Sequence, residues 1–145
     1  MKFWEEIISN KVLIAAILGW CVAQVLKVIW VLVSEKKFDI SRITGAGGMP
    51  SSHSAFVSAM TTAVGITEGL DSSVFAIAFV LSFIVMYDAS GVRKAAGEQA
   101  KVINDLQEIL HTEVPVYLKE LLGHTHLEVI VGSILGIAIG LLMFL

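Results

Sequence analysis

Three short stretches carry side chains whose types and spacing could do chemistry. In Gly123-His124-Thr125-His126-Leu127-Glu128, His124 and Glu128 are four residues apart and share one face of a helix. A carboxylate so placed accepts the ring N–H, fixes the tautomer and leaves the second nitrogen of His124 as a better nucleophile. In Gly47-Gly48-Met49-Pro50-Ser51-Ser52-His53, the glycine pair permits close backbone approach, Pro50 presets a helix start, and Ser51 or Ser52 caps it. Free N–H groups and the helix dipole at such a start favour an anion, and His53 in the first turn can donate to it or to a leaving oxygen. Tyr87-Asp88-Ala89-Ser90-Gly91-Val92-Arg93-Lys94 adds two adjacent cations after a turn. Arg93 suits bidentate contact with an oxyanion and Lys94 supplies charge, with Asp88 as a structural partner for a nearby cation.

Each stretch also has a plainer reading as an N-capped helix, a packing contact or interfacial cations. A zinc site is a rival, since His53, His124, His126 and Glu128 are ligand types, but His126 falls on a different helical face from His124. No metal and no cofactor are expected.

The elements that must position these residues are apolar. Of 145 residues, 56% are hydrophobic and 16% charged, and mean hydropathy is +0.81. That composition points to an all-α integral membrane helix bundle forming one domain over residues 1–145. A net charge of -3 and a pI near 5.7 leave no basic footprint, so no nucleic-acid partner is expected. The single cysteine, Cys21, lies in an apolar run and reads as a small buried residue. Glu5 and Glu6 spoil the basic start of a cleavable signal.

Four stretches fit a bilayer: Val12–Val33, Ser54–Ile66, Val74–Tyr87 and Leu127–Leu145. The first, 22 residues, makes about 33 Å of helix against a hydrocarbon core of about 30 Å. The middle two read as a hairpin around the polar turn at 67–73. Gly91–Leu110 has helical apolar spacing and reads as an amphipathic surface helix, and Val116–Leu122 as a short helical turn after Pro115. Lys27, with Gln24, sits inside the first span and needs polar company in the bundle or must snorkel to its edge. With four spans, the ends bearing Lys36, Lys37, Arg42, His53, Asp88, Arg93, Lys94, His124 and Glu128 all fall on one side. The small residues Gly132, Gly136 and Gly140 repeat every four positions, marking a close-packing face and a candidate contact between copies of the chain.

Taken together these residues resemble the divergent branch of the phosphatidic acid phosphatase type 2 superfamily, related to acid phosphatases and vanadium-dependent haloperoxidases. Pro50-Ser51-Ser52-His53 is similar to the superfamily's Pro-Ser-Gly-His motif, with Ser52 in place of glycine. His124 and Glu128 resemble the end of its Ser-Arg…His…Asp motif, with Glu128 in place of aspartate. The motif arginine, six residues before the histidine, is replaced by Leu118, and Arg93 is the candidate substitute. No lysine is followed seven residues later by arginine, so Lys27, Lys36 or Lys37 with Arg42 stands in for the first motif.

The resemblance implies a metal-independent lipid phosphatase. His124 would form a phosphohistidine with help from Glu128, and His53 would protonate the leaving oxygen. Ser51, Ser52, backbone near Gly48, and Lys27, Arg42, Arg93 and Lys94 would bind phosphate. A lipid phosphate monoester or diphosphate is the expected substrate and membrane lipids the surroundings. A non-catalytic or transport protein keeping the anion site is the alternative, and an oxidant enzyme a distant third. Seven cations on the site side, Lys36, Lys37, Arg42, Arg93, Lys94, Lys101 and Lys119, against Lys2 and Lys11 opposite, predict a cytoplasmic active face.

Overall fold

The computed structural model describes residues 2–35, 48–111, 116–120 and 122–145. Its regular elements are helices: α1 (Lys2–Ser9), α2 (Lys11–Glu35), α3 (Ser52–Glu68), α4 (Ser73–Ser90), α5 (Val92–Ile109) and α6 (His126–Leu142). Helices α2, α3, α4 and α6 are the four expected apolar elements, with ends shifted by one to three residues. Helix α5 is the expected amphipathic one. Helix α1 was not anticipated; it stops at Asn10, whose Oδ1 accepts from Leu13 N at 3.0 Å and so starts α2.

Small residues decide how the bundle closes. Ala55, Ala59 and Ala63 make a fully buried stripe on α3, and two other helices bring matching stripes to it. From α2 come Ala15, Gly19 and Ala23; from α6 come Gly132, Gly136 and Gly140. A Cβ at Gly19 would lie 2.8 Å from Ala55 O, at Gly132 2.3 Å from Ser51 O, and at Gly136 2.4 Å from Ala55 O. Backbone thus rests on backbone along both seams, the packing available where lipid offers no hydrophobic drive. The order of these contacts makes α3 and α6 parallel; Lys27 beneath Gly48 with Gly19 on Ala55, and Phe75 near Gly65 with Ser82 on Thr61, make α2 and α4 antiparallel to them. The glycine stripe of α6, read from sequence as a close-packing face, is covered by α3 of the same chain.

Large apolar side chains point outward instead, among them Trp20, Val25, Phe79, Phe83 and Ile134. This inversion of a soluble core is what lipid contact favours. By length and composition, Lys11–Val33 and a window within Ser73–Ile109 suffice to cross a membrane, and His126–Leu142 is a shorter apolar helix. The buried hydroxyls between α3 and α4 are paired: those of Thr61 and Ser82 lie 2.6 Å apart, and Ser82 donates to Val57 O at 3.1 Å. Between α3 and α4, Gly69 takes φ +88°, and Ser72 caps α4 by accepting from Phe75 N at 3.1 Å.

One expected element is corrected. Residues 116–120 are not helical. They run as an extended strap antiparallel to α5, because two amide side chains supply the partners a helix would have supplied. Gln107 Oε1 accepts from Val116 N at 2.7 Å and its Nε2 donates to Val116 O at 3.0 Å. Asn104 Oδ1 accepts from Leu118 N at 2.9 Å and its Nδ2 donates to Leu118 O at 2.9 Å.

Candidate functional site

The starts of α3 and α6 lie side by side, tied by Ser51 N donating to Glu128 O at 3.1 Å. Two helix N-termini therefore present their positive ends to one region. Ser51 is the N-cap of α3, its Oγ accepting from Ser54 N at 3.4 Å and from Ser54 Oγ at 3.0 Å. It is fully buried and Ser52 nearly so. Both build the start of α3, Ser51 as its cap.

His53, in the first turn of α3, faces His124 with ring centroids 6.3 Å apart and planes at 65°. His124 is buried, its backbone N donating to Ala89 O of α4 at 2.9 Å. Its Nδ1 lies 3.2 Å from Glu128 Oε2, the pair expected from their spacing. Glu128 also serves a capping box: its Oε2 accepts from Thr125 N at 2.9 Å while Thr125 Oγ1 accepts from Glu128 N at 3.3 Å. The same carboxylate thus fixes the helix start and orients the imidazole.

Both histidines lie outside the apolar stretches 54–66 and 127–142, and both are held below the usual imidazole range. Burial is the first cause at His53, followed by the charges of Arg93, His124 and Lys27, with Asp88 opposing. Burial also leads at His124, against which the hydrogen bond and charge of Glu128 pull upward. His53 Nδ1 is buried without a hydrogen-bond partner.

Arg93 Nε donates to Asp88 Oδ2 at 2.6 Å, the structural pairing expected for Asp88. Lys27 is buried in the bundle, and its alkyl chain runs beneath Gly48 (φ +89°). Lys94 is exposed and pairs loosely with Glu98 at 3.9 Å. Arg42, with Lys36 and Lys37, lies outside the described residues.

Among the described residues, most of those expected at the site line two neighbouring cavities. A cavity of about 260 Å³ is lined by His53, Asp88, Ala89 and Arg93. Another of about 330 Å³ is lined by Gly48, Lys94, Lys101, His124, Thr125 and Glu128. The paired rings stand between them. His126 lines a separate groove with Phe83, Met86 and Tyr87, away from His124. Among the described residues no three His, Cys, Asp or Glu side chains are placed to hold a metal ion, so the zinc alternative finds no cluster there.

Sequence reasoning missed the scaffold around His124. A Cβ at Gly97 would lie 2.2 Å from Glu120 O, and one at Gly123 would lie 2.3 Å from Lys94 Cα. The strap is pressed onto α5 at these two glycines. Gly97 was the available signal, because glycine inside a helix costs about 1 kcal/mol against alanine and so asks for a packing reason.

Among the described residues, an all-helical bundle faced with apolar side chains, with His53, His124 and Glu128 together at one end, is the architecture of a membrane protein. The chain belongs to the Divergent PAP2 family, which it matches over residues 8–139. It is similar to YuiD of Bacillus subtilis (strain 168), described as an uncharacterized membrane protein, at 41% identity over 95% of this chain and 96% of that protein. No solved structure matches.

Proposed function

We propose that the protein is a multi-pass membrane phosphatase that hydrolyses a lipid phosphate monoester or diphosphate through a phosphohistidine. The observation that carries this reading is the meeting of His53 with His124, the latter oriented through Nδ1 by Glu128 at 3.2 Å. Nε2 of neutral His124 attacks phosphorus, the bond from phosphorus to the ester oxygen breaks, and protonated His53 gives that oxygen its proton. Neutral His53 then takes a proton from water, whose oxygen attacks phosphorus. The phosphorus–nitrogen bond breaks and inorganic phosphate leaves. Arg93 and Lys27, whose charges reach both histidines, and the converging helix starts offset charge on the phosphoryl oxygens.

Burial first, and then the cations around it, lower the proton affinity of His53. A phosphate anion seated among those cations cancels their field and returns the proton-binding capacity that a general acid needs. Its partnerless Nδ1 leaves one ring nitrogen uncommitted by the protein.

The apolar outer surface and the site's place at the bundle's end favour a substrate whose phosphate lies at the bilayer edge. Arg93, Lys94, Lys101 and Lys119 at that end, against Lys2 and Lys11 opposite, favour a cytoplasmic active face. A second reading, a phosphate-binding protein without turnover, is favoured by the service of Glu128 in a capping box, a role that needs no chemistry.

The test uses protein in lipid nanodiscs offered phosphatidate, phosphatidylglycerophosphate and a polyprenyl diphosphate. Phosphate release from at least one, lost in His124→Ala, is expected. Binding without release would favour the second reading, and neither would refute both.

A further inference from the structure

His124 does not sit on a helix. It is delivered by the strap, residues 116–120 and 122–124, which has no secondary structure of its own. Its backbone is held instead by side chains of α5. Val116 and Leu118 are two residues apart, so their N–H and C=O groups face the same edge of an extended chain. Asn104 and Gln107 are three apart and share one face of α5. Each amide carries a donor and an acceptor spaced like those of a peptide unit. One face of a helix thus imitates the edge of a β-strand.

The two amides are not equivalent. Gln107 lies at the outer end of α5, where its bonds to Val116 are exposed. Asn104 is buried, and besides pairing with Leu118 it donates from Nδ2 to Glu120 Oε1 at 2.8 Å. It is the last side-chain anchor before the strap drops onto Gly97 and Gly123 and then onto Ala89, where His124 N is bonded. Loss of a buried amide that satisfies three partners frees the strap at once, because no water-exposed bond downstream replaces it.

The structure assigns Asn104 as a positioning residue for His124, acting through the strap and not by touching substrate. This rests on the reading of His124 as nucleophile, but the positioning itself is measurable without turnover. Asn104 makes the imidazole a wall of its cavity at fixed height, with Nδ1 against Glu128.

The full chain in nanodiscs carries the test. Asn104→Leu removes all three bonds at similar volume. Asn104→Asp keeps only the acceptor, and remains available if the leucine variant fails to fold. Glu108→Ala, on the charged side of α5, is the control. Modification of His124 by diethylpyrocarbonate is followed by mass spectrometry, with exposed His126 as internal reference, beside amide exchange over residues 116–124. Both Asn104 variants are expected to raise the His124 modification rate and strap exchange about tenfold while α3 and α6 keep their protection.

In the phosphatase assay kcat is expected to fall about tenfold or more with KM within about twofold. The acid limb of the pH profile moves up as the imidazole becomes wetter. Unchanged His124 modification in a folded variant overturns the assignment. So does faster modification with unchanged kcat and pH limb in an active enzyme. If wild type releases no phosphate while His124 modification rises as stated, the positioning stands and the phosphatase reading falls.

Discussion

The seam between α3 and α6 and the strap over α5 both lead to the same histidine and are held by opposite means. Along the seam, glycine lets one backbone lie on another, at Gly132 on Ser51 and at Gly136 on Ala55, with no side chain between. Along the strap, paired hydrogen bonds from Asn104 and Gln107 hold the backbone of Leu118 and Val116. The seam is fixed by excluded volume and tolerates no added atom. The strap is fixed by donors and acceptors, and each can be removed singly. The rigid seam thus carries His53 and Glu128, while the removable strap carries His124.

The largest effect should come from adding bulk to the seam. Gly136→Val places atoms where even a Cβ would lie 2.4 Å from Ala55 O and 2.9 Å from Ala59 N, both backbone atoms. A loss of about 3 kcal/mol or more is expected, measured as thermal unfolding in nanodiscs. Gly65→Ala makes the useful contrast, because its nearest atom, Leu70 Cδ2 at 2.9 Å, ends a flexible side chain. It should cost about 1 kcal/mol. Equal losses at the two glycines would erase the distinction between a backbone seam and ordinary packing.

At the junction of the two regions, Glu128 and Thr125 separate chemistry from capping. Thr125→Ala removes one half of the capping box and should cost about 1 kcal/mol of stability with kcat within about twofold. Glu128→Gln keeps the shape and an acceptor for Thr125 N but loses the charge that supports an imidazolium. Its kcat should fall roughly a hundredfold with little change in stability. If Thr125→Ala lowers kcat as far as Glu128→Gln, the pair is a cap and nothing more.

A smaller effect is expected from pH. Burial leads in lowering both His53 and His124, so their folded-state values lie below that of the unfolded chain. The unfolded state then binds protons first as pH falls. Stability should be level above about pH 6.5 and decline below it. The acid limb of kcat/KM, where neutral His124 is lost, should likewise lie below 6.5. Thermal unfolding and kinetics between pH 5 and 8, in steps of roughly half a unit, check both statements; an acid limb above 6.5 would contradict the buried setting of His124.

The contrast between seam and strap also separates what could be read in the sequence from what could not. Glycines four apart in α6, a Pro-Ser-Ser-His start and a His–Glu pair one turn apart are local patterns, and they appear as close packing on α3, the Ser51 cap and the His124–Glu128 pair. The meeting of two helix starts followed from counting spans. Nothing local says that Asn104 and Gln107 bind a chain nine to sixteen residues away, since polar residues on an amphipathic helix are usually wetted. The hydroxyls of Ser51 and Ser52 look free for a ligand in sequence, and only the packed helix start shows them buried. The division of the site into two cavities is likewise a tertiary property, set by the rings of His53 and His124 standing between Arg93 and Lys94.

The most direct test of the central claim is to trap the covalent intermediate. Protein in nanodiscs is mixed with phosphatidate labelled in its phosphate, quenched in base, where a phosphorus–nitrogen bond to histidine survives, and the label is mapped by mass spectrometry. Label on His124, absent in His124→Ala and accumulating in a His53 variant that cannot activate water, is the predicted result. Phosphate release with no label on His124, or label on another residue, would contradict the account.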